Sequence, residues 1–513
     1  MEVAVDTGAV TFEDVIAVAR HGAAVRLAPD ALAAIDAARA VVDRLAASPT
    51  PAYGISTGFG ALATRHIPPA DRRRLQLSLV RSHAAGSGPE VEREVVRGLM
   101  LLRLSTLATG RTGIRRETAE LLASLLSHGI TPVVREYGSL GCSGDLAPLA
   151  QCALALVGEG DVRDTAGVLM PAADALAAAG LRPVELQAKE GLALINGTDG
   201  MLAMLVLAIT DLRRLLAVAD VAAAMSVEGL LGTDRVFAAE LLALRPHPGQ
   251  AASARNLTRL LTGSGIVASH RTPDCNRVQD AYSLRCSPQV HGAARDTVEH
   301  AATVAERELA AAIDNPVVLT QAGRVESNGN FHGAPLAYVL DFCAIAVADV
   351  AGIAERRTDR LLDPARNAGL PPFLADDPGV DSGLMIAQYT QAAIVSELKR
   401  LAVPASVDSI PSSAMQEDHV SMGWSAARKL RRAIDSLTRV LAIEVLAAAR
   451  GVELRTPLTP SPAADAVVEL LRGAGVPGAG PDAHLSPQIE TCVGLVADGA
   501  VLNAVEATIG ALE

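Results

Sequence analysis

The run KLRRAIDSLTRVL, residues 429–441, places Leu430, Ile434, Leu437 and Leu441 at spacings of four, three and four, with Lys429 just before them and Arg431 and Arg432 between the first two. That period gathers the apolar side chains on one stripe of a helix and the cations on the other side. The stripe belongs to a longer apolar segment at about 420–450, and comparable segments lie at about 201–230, 290–312, 334–361 and 383–402. Helices this long and apolar have to bury their faces against one another, which predicts a mainly α protein built as a long antiparallel helical bundle. Composition points the same way: half of the 513 residues are apolar but only 2% are aromatic, and Ala and Leu dominate. Gly451 and the prolines at 457, 460 and 462 are expected to end the bundle. The chain then divides into a smaller N-terminal helical and loop region, 1–197, a central long-helix bundle, 198–452, and a C-terminal helical segment, 453–513.

In the N-terminal region, Thr11 with Asp14 has the form of a helix cap, and Pro29-Asp30 opens a second helix that must stop before Ser48-Pro49-Thr50-Pro51. Next comes a glycine-punctuated loop, YGISTGFG at 53–60, of a kind that holds side chains on a scaffold while leaving them accessible. A helix from Asp71 carries Leu75 and Leu79 on one face and His83 in its last turn, and 94–108 and 118–126 read as two more. Small hairpins are expected at 162–170 around Gly167 and at 317–325 around Gly323.

With 45 basic against 57 acidic residues the net charge is −12, so the chain has no global attraction for nucleic acid or an anionic membrane. Six cysteines, at 142, 152, 275, 286, 343 and 492, form no CxxC pair and no cluster with histidine. They read as reduced, mostly buried thiols of a cytoplasmic protein, and no metal site is expected. The N-terminal MEVAVDTGAV lacks the basic-then-apolar form of a secretion signal. Two apolar runs are expected not to cross a membrane: Asp211, Arg213 and Arg214 interrupt the one from Met201, and Asp341 and Asp349 the one from Ala334.

The chemistry is expected in GSLGCSGDLAPLA, residues 138–150, where small residues crowd around Ser143 and Asp145 opens an apolar helix. A tight turn feeding a helix start exposes unpaired N–H groups and suits developing negative charge. It also brings neighbouring peptides close enough to condense. Attack of the Gly144 nitrogen on the Cys142 carbonyl carbon would close a five-membered ring, and loss of water from the ring and from the Ser143 side chain would leave an exocyclic methylene. Gly144 must lack a side chain for that approach, Ser143 must supply a β-hydroxyl, and Cys142 gives only its carbonyl, its thiol being a small bystander. Other readings of the stretch are a glycine-rich turn capped by Ser143 or Asp145, and a lyase of the fumarase type that uses Ser143 as base. A nucleophile elbow is excluded because the second glycine adjoins the serine, and a phosphate loop because Asp145 stands where Lys is needed.

The stretch resembles the signature of the aromatic amino acid ammonia-lyases and aminomutases, with Cys142 where most members carry Ala. The resemblance extends through YGISTGFG at 53–60, SHAAGSG at 82–88, KEGLALINGTDG at 189–200, RVQDAYSLRCSPQ at 277–289, NGNFHG at 328–333 and SSAMQEDHVSMG at 412–423. It is strongest to the histidine-specific branch, of the actinobacterial kind. It implies a fumarase/aspartase-like helical fold, a homotetramer with sites shared between subunits, and a 4-methylidene-imidazol-5-one group formed autocatalytically from Cys142-Ser143-Gly144. No external cofactor is implied. The implied reaction is elimination of ammonia from L-histidine to give trans-urocanate.

On the same resemblance, Tyr53 is the base for the β-hydrogen, with Tyr282 a second tyrosine at the site. Arg285 holds the substrate carboxylate by a two-pronged hydrogen bond, Asn196 and Gln279 surround substrate and ring, and Phe331 forms an aromatic wall. Each has a plain structural alternative: a loop anchor for Tyr53, an interhelix salt bridge for Arg285, a helix cap for Asn196 and a core position for Phe331. His83 and Glu417 select the substrate, because a carboxylate beside a histidine accepts an imidazole N–H, and burying it against a phenyl ring would be costly. Tyrosine or phenylalanine lyases and mutases on the same scaffold, and a catalytically silent helical scaffold, stay open as alternatives.

Overall fold

The computed structural model describes residues 2–58, 62, 64–272, 275 and 278–513. The last two residues of the 53–60 block and Arg277 of the 277–289 block lie outside the described residues. Among the described residues there are twenty α-helices, and the strands are only two to four residues long. The five long segments read from periodicity are the helices Asp199–Gly229, Ser287–Leu309, Ala334–Leu362, Met385–Leu401 and Gly423–Glu453.

Contacts divide the chain into two compact units. One comprises 2–207, 302–341 and 404–428, the other 208–301, 342–403 and 429–513. The cuts fall inside four of the long helices, whereas the sequence reading places its divisions after 197 and after 452.

In the second unit, Leu430, Ile434, Leu437 and Leu441 are all buried while Arg432 is exposed, as the stripe requires. Farther along the same helix the pattern stops being amphipathic, and every residue from Val440 to Val452 is buried. Burial on all sides demands that polar groups there be paired. Glu444 answers this by accepting from Arg357 Nε at 2.5 Å, Arg357 Nη2 at 2.9 Å and Ser226 Oγ at 2.8 Å. Gly451, expected from the sequence to end the helix, does not, because it is a packing site. A Cβ there would stand 3.1 Å from Leu361 Cδ2, and the helix continues to Glu453. Pro462 likewise opens a helix, Pro462–Gly473, with Ser461 as its cap, in keeping with proline's fitness for a first turn.

The first unit holds the smaller elements. Thr11 Oγ1 accepts from Asp14 N at 3.1 Å and Asp14 Oδ2 accepts from Thr11 N at 3.0 Å, a reciprocal capping box that starts helix Phe12–Ala19. Strand Asp161–Arg163 pairs with Leu169–Pro171 through a turn where Gly167 has φ +82°, and Val317–Leu319 pairs with Arg324–Glu326. A parallel pair, Glu2–Val5 with Ala24–Leu27, has no counterpart in the sequence reading. Helix Ala334–Leu362 is long and apolar enough to cross a membrane by length and composition alone, and 56% of its apolar window is buried. Asp341, expected to disqualify the run, lies within it and accepts from Ser406 N at 2.8 Å.

A buried polar cluster of the second unit surrounds Asp220. Its Oδ1 accepts from Ser253 Oγ at 2.5 Å and His291 Nδ1 at 2.7 Å, and its Oδ2 from Arg295 Nη2 at 2.7 Å and Asn256 Nδ2 at 3.0 Å. Burial alone would raise this carboxyl's pKa, but its bond from His291 and the charge of Arg295 hold it below the ordinary value. Asp220→Ala removes the acceptor from three buried donors and the partly buried Arg295, and a loss of about 3–5 kcal/mol is expected, checked as a shift of the urea unfolding midpoint.

Candidate active site

The turn at 138–145 depends on three glycines in the left-handed region: Gly138 at φ +151°, Gly141 at +65° and Gly144 at +80°. Gly144 pairs with Gly197, and Asp145 N donates to Gly197 O at 2.7 Å. A Cβ on Gly144 would lie 2.0 Å from Gly197 O, so a side chain there is excluded by space as well as by φ. Neighbouring segments hold the turn from outside. Gly333 N donates to Gly141 O at 3.2 Å, Ser421 Oγ to the same oxygen at 2.8 Å, and Met422 N to Leu140 O at 2.9 Å.

Helix Leu146–Leu156 follows the turn, and Asp145 stands at its cap position without capping it. Its carboxylate serves another helix instead: Oδ2 accepts from Gly200 N and Met201 N, both at 2.9 Å, at the start of Asp199–Gly229, while Oδ1 accepts from Ser139 Oγ at 2.9 Å. Complete burial, with Asp199 as a like charge, raises its pKa to about 7 despite those bonds. Arg103, also buried, donates Nη1 to Asn196 O at 2.7 Å and Nη2 to Ile313 O at 2.9 Å. Asn196 ends helix Glu190–Ile195, and its Oδ1 is buried with no hydrogen-bond partner among the described residues.

A cavity of about 580 Å³ opens on the turn, lined by Tyr53, His83, Ser143, Asn196 and Glu417. Leu146, Leu192 and Ile195 contribute apolar wall, and Asn315 a further amide. Glu417 Oε1 accepts from Ser143 Oγ at 3.2 Å, and Oε2 accepts from Cys142 Sγ at 3.2 Å and Ser412 Oγ at 2.9 Å. His83 Nδ1 lies 2.9 Å from Leu79 O, which can only accept, so in the neutral ring Nδ1 carries the proton and Nε2 the lone pair. Burial lowers the His83 pKa, outweighing the opposing pull of the Leu79 carbonyl and the Glu417 charge.

Five of the residues singled out in the sequence therefore line one cavity, and Cys142 and Gly144 flank it in the chain. Phe331, partly buried in the turn that precedes Gly333, does not line it. Gln279 and Arg285 line a separate cavity of about 590 Å³ in the second unit. There the Arg285 guanidinium lies 4.7 Å from the centroid of the Tyr282 ring, and Tyr282 is 71% exposed. Sequence reasoning missed Arg103 and Asn315 as neighbours of the site. Leu192 and Ile195 were present in the 189–200 block, as apolar positions flanking Asn196.

The sequence matches the aromatic amino acid lyase family over residues 10–473. The chain belongs to that family. It is a carbon–nitrogen lyase. It is 66% identical over 510 residues to the histidine ammonia-lyase of Streptomyces coelicolor, covering 99% of each chain. Among solved structures it is similar to histidine ammonia-lyase from Trypanosoma cruzi, at 38% identity and a TM-score of 0.90, covering 99% of this chain and 96% of that one. It is also similar to tyrosine aminomutase from Streptomyces globisporus, at 37% identity and a TM-score of 0.93, covering 99% of both.

Because the folded state lowers the His83 pKa, protonation near the free value of about 6.5 favours the unfolded chain. The contribution of neutral His83 is complete above that pH and is lost as pH falls towards the folded value. Thermal melts of wild type and His83→Gln are expected to keep a constant separation above pH 7.5. The wild type should lose ground to the variant as pH falls below about 6.5.

Proposed function

We propose that this family member is a histidine ammonia-lyase, which removes ammonia from L-histidine to give trans-urocanate and so opens histidine degradation. One observation carries the reading of substrate: a carboxylate, Glu417, and an imidazole, His83, line the same cavity as Ser143. A substrate imidazole can donate its N–H to the first. A tyrosine or phenylalanine lyase or mutase is the second reading, favoured by the likeness to tyrosine aminomutase. The phenyl ring of phenylalanine, however, would desolvate Glu417 and return no hydrogen bond, whereas a tyrosine phenol could donate one, so the assay includes both.

The residues present fit an electrophile formed from Cys142-Ser143-Gly144. Gly144 leaves its nitrogen unshielded by a side chain, and the Ser143 hydroxyl is bonded to a carboxylate able to accept and return a proton as water leaves. The group, a 4-methylidene-imidazol-5-one, supplies the acceptor that makes the substrate amine a competent leaving group. Tyr53 takes the β-proton while the Cα–N bond breaks and the Cα–Cβ double bond forms, and Tyr282 is the alternative for that base. Arg285 holds the carboxylate, and Asn196, whose free Oδ1 can accept from an amine, acts with Gln279 and Phe331 to fix the substrate. We read the working enzyme, on its family membership, as a homotetramer whose sites draw on more than one subunit. We place it in the cytoplasm, acting without nucleic acid, membrane or metal.

The test is incubation of the purified protein with L-histidine, L-tyrosine or L-phenylalanine, with products followed in the ultraviolet. Urocanate is expected from histidine, and Ser143→Ala should lose a factor of about 10³ or more in turnover. Equal rates in both proteins, or coumarate or cinnamate as the main product, would defeat the proposal.

A further inference from the structure

Glu417 holds its two oxygens differently. Among the described residues Oε1 has one donor, Ser143 Oγ, while Oε2 has two, Cys142 Sγ and Ser412 Oγ. If the ring forms as proposed above, the Ser143 hydroxyl departs as water with its Cα hydrogen, and Oε1 loses its partner. The donors on Oε2 are untouched, because the ring takes from Cys142 only its backbone carbonyl. We propose that Cys142 and Ser412 are positioning residues that anchor Oε2 of Glu417, so that Oε1 is presented to the N–H of the substrate imidazole. The thiol, a bystander in the ring chemistry, is then part of substrate selection.

Two further observations support this. The Cys142 thiol is pushed up to about 12 by burial and by the Glu417 charge, so it keeps its proton and remains a donor at neutral pH. Ser412 is itself tied to Glu417 through the backbone, with Ser412 N donating to Glu417 O at 2.9 Å, so donor and acceptor move together. The inference rests on Glu417 as the imidazole acceptor, and its test does not need turnover.

In a Ser143→Ala background no ring can form, and equilibrium binding of L-histidine and L-phenylalanine can be measured by titration calorimetry. Adding Cys142→Ala or Ser412→Ala is expected to weaken L-histidine about three- to tenfold, the net effect of one typical hydrogen bond, since the lost donor acts on the substrate only through Glu417. L-Phenylalanine, whose ring has no N–H, should change less than about twofold. Cys142→Ser, which keeps a donor, should restore L-histidine binding. With Ser143 present, Cys142→Ala should raise KM for L-histidine more than it lowers kcat. Unchanged L-histidine affinity, or equal weakening of both amino acids, would overturn the proposal. Intact mass of the unsubstituted protein, two waters lighter if the ring forms, tests the electrophile separately.

Discussion

Asp145 accepts hydrogen bonds from Gly200 N, Met201 N and Ser139 Oγ, and the first unit is organised by what that one carboxylate joins. Gly200 and Met201 begin a helix of 31 residues, whose first N–H groups have no partners within the helix and whose dipole is positive at that end. Ser139 belongs to the glycine-rich turn. A single buried acceptor therefore fixes the start of the long helix to the turn that carries Ser143. The same helix start adjoins Gly197, which receives the Asp145 N–H, and Asn196, whose carbonyl is held by Arg103. The site is thus built on the rigid end of a helix and not on a free loop.

The buried charges behind it follow the same logic. Lys189 is fully buried and paired to Asp314, and Arg103 lies 3.6 Å from Asp199. Burial drives the carboxyls of Asp199 and Asp314 upward in pKa and that of Lys189 downward, so each charge depends on its partner. Such pairs add little net stability over apolar substitutes but make any other arrangement costly, since a displaced member would be a buried, uncompensated ion. Asn196 and Asn315 lie beside these pairs in the chain or through hydrogen bonds, and both line the cavity. The ion pairs thereby fix amide positions that polar surface loops could not hold.

Much of this was legible in the sequence, for physical reasons that differ by element. The long helices announce themselves because a 3.6-residue period repeated over twenty or more positions outweighs local noise, as Leu430 to Leu441 illustrate. Strands of four residues, such as Glu2–Val5, offer too few alternations and no hairpin turn, since the partner is parallel and nineteen residues away begins at Ala24. Gly451 looked like a helix stop because glycine lowers helix propensity, but the close approach of Leu361 favoured a residue without a side chain. Asp145 looked like a local cap, and only tertiary structure shows that it caps a helix that starts 54 positions later. Arg103 left no signal at all, because a buried arginine and an exposed one are the same letter.

Glu417 shows how a loop residue can be placed as firmly as one on a helix. Ser413, Ala414 and Met415 have φ of +51°, +53° and +69°, three consecutive non-glycine residues in the left-handed region, each strained by of order 1 kcal/mol or more. The strain persists because the bridge between Ser412 and Glu417 closes the turn on itself. Side-chain bonds from Cys142 and Ser143 fasten it to the glycine-rich turn, and one from Ser412 braces it from within. A relaxed loop would carry Glu417 away from those donors, whereas the strained one holds the carboxylate against the turn. It follows that the residue proposed to read the substrate ring and the residues proposed to accept its amine are positioned by the same set of bonds, so that these two proposed roles cannot vary independently.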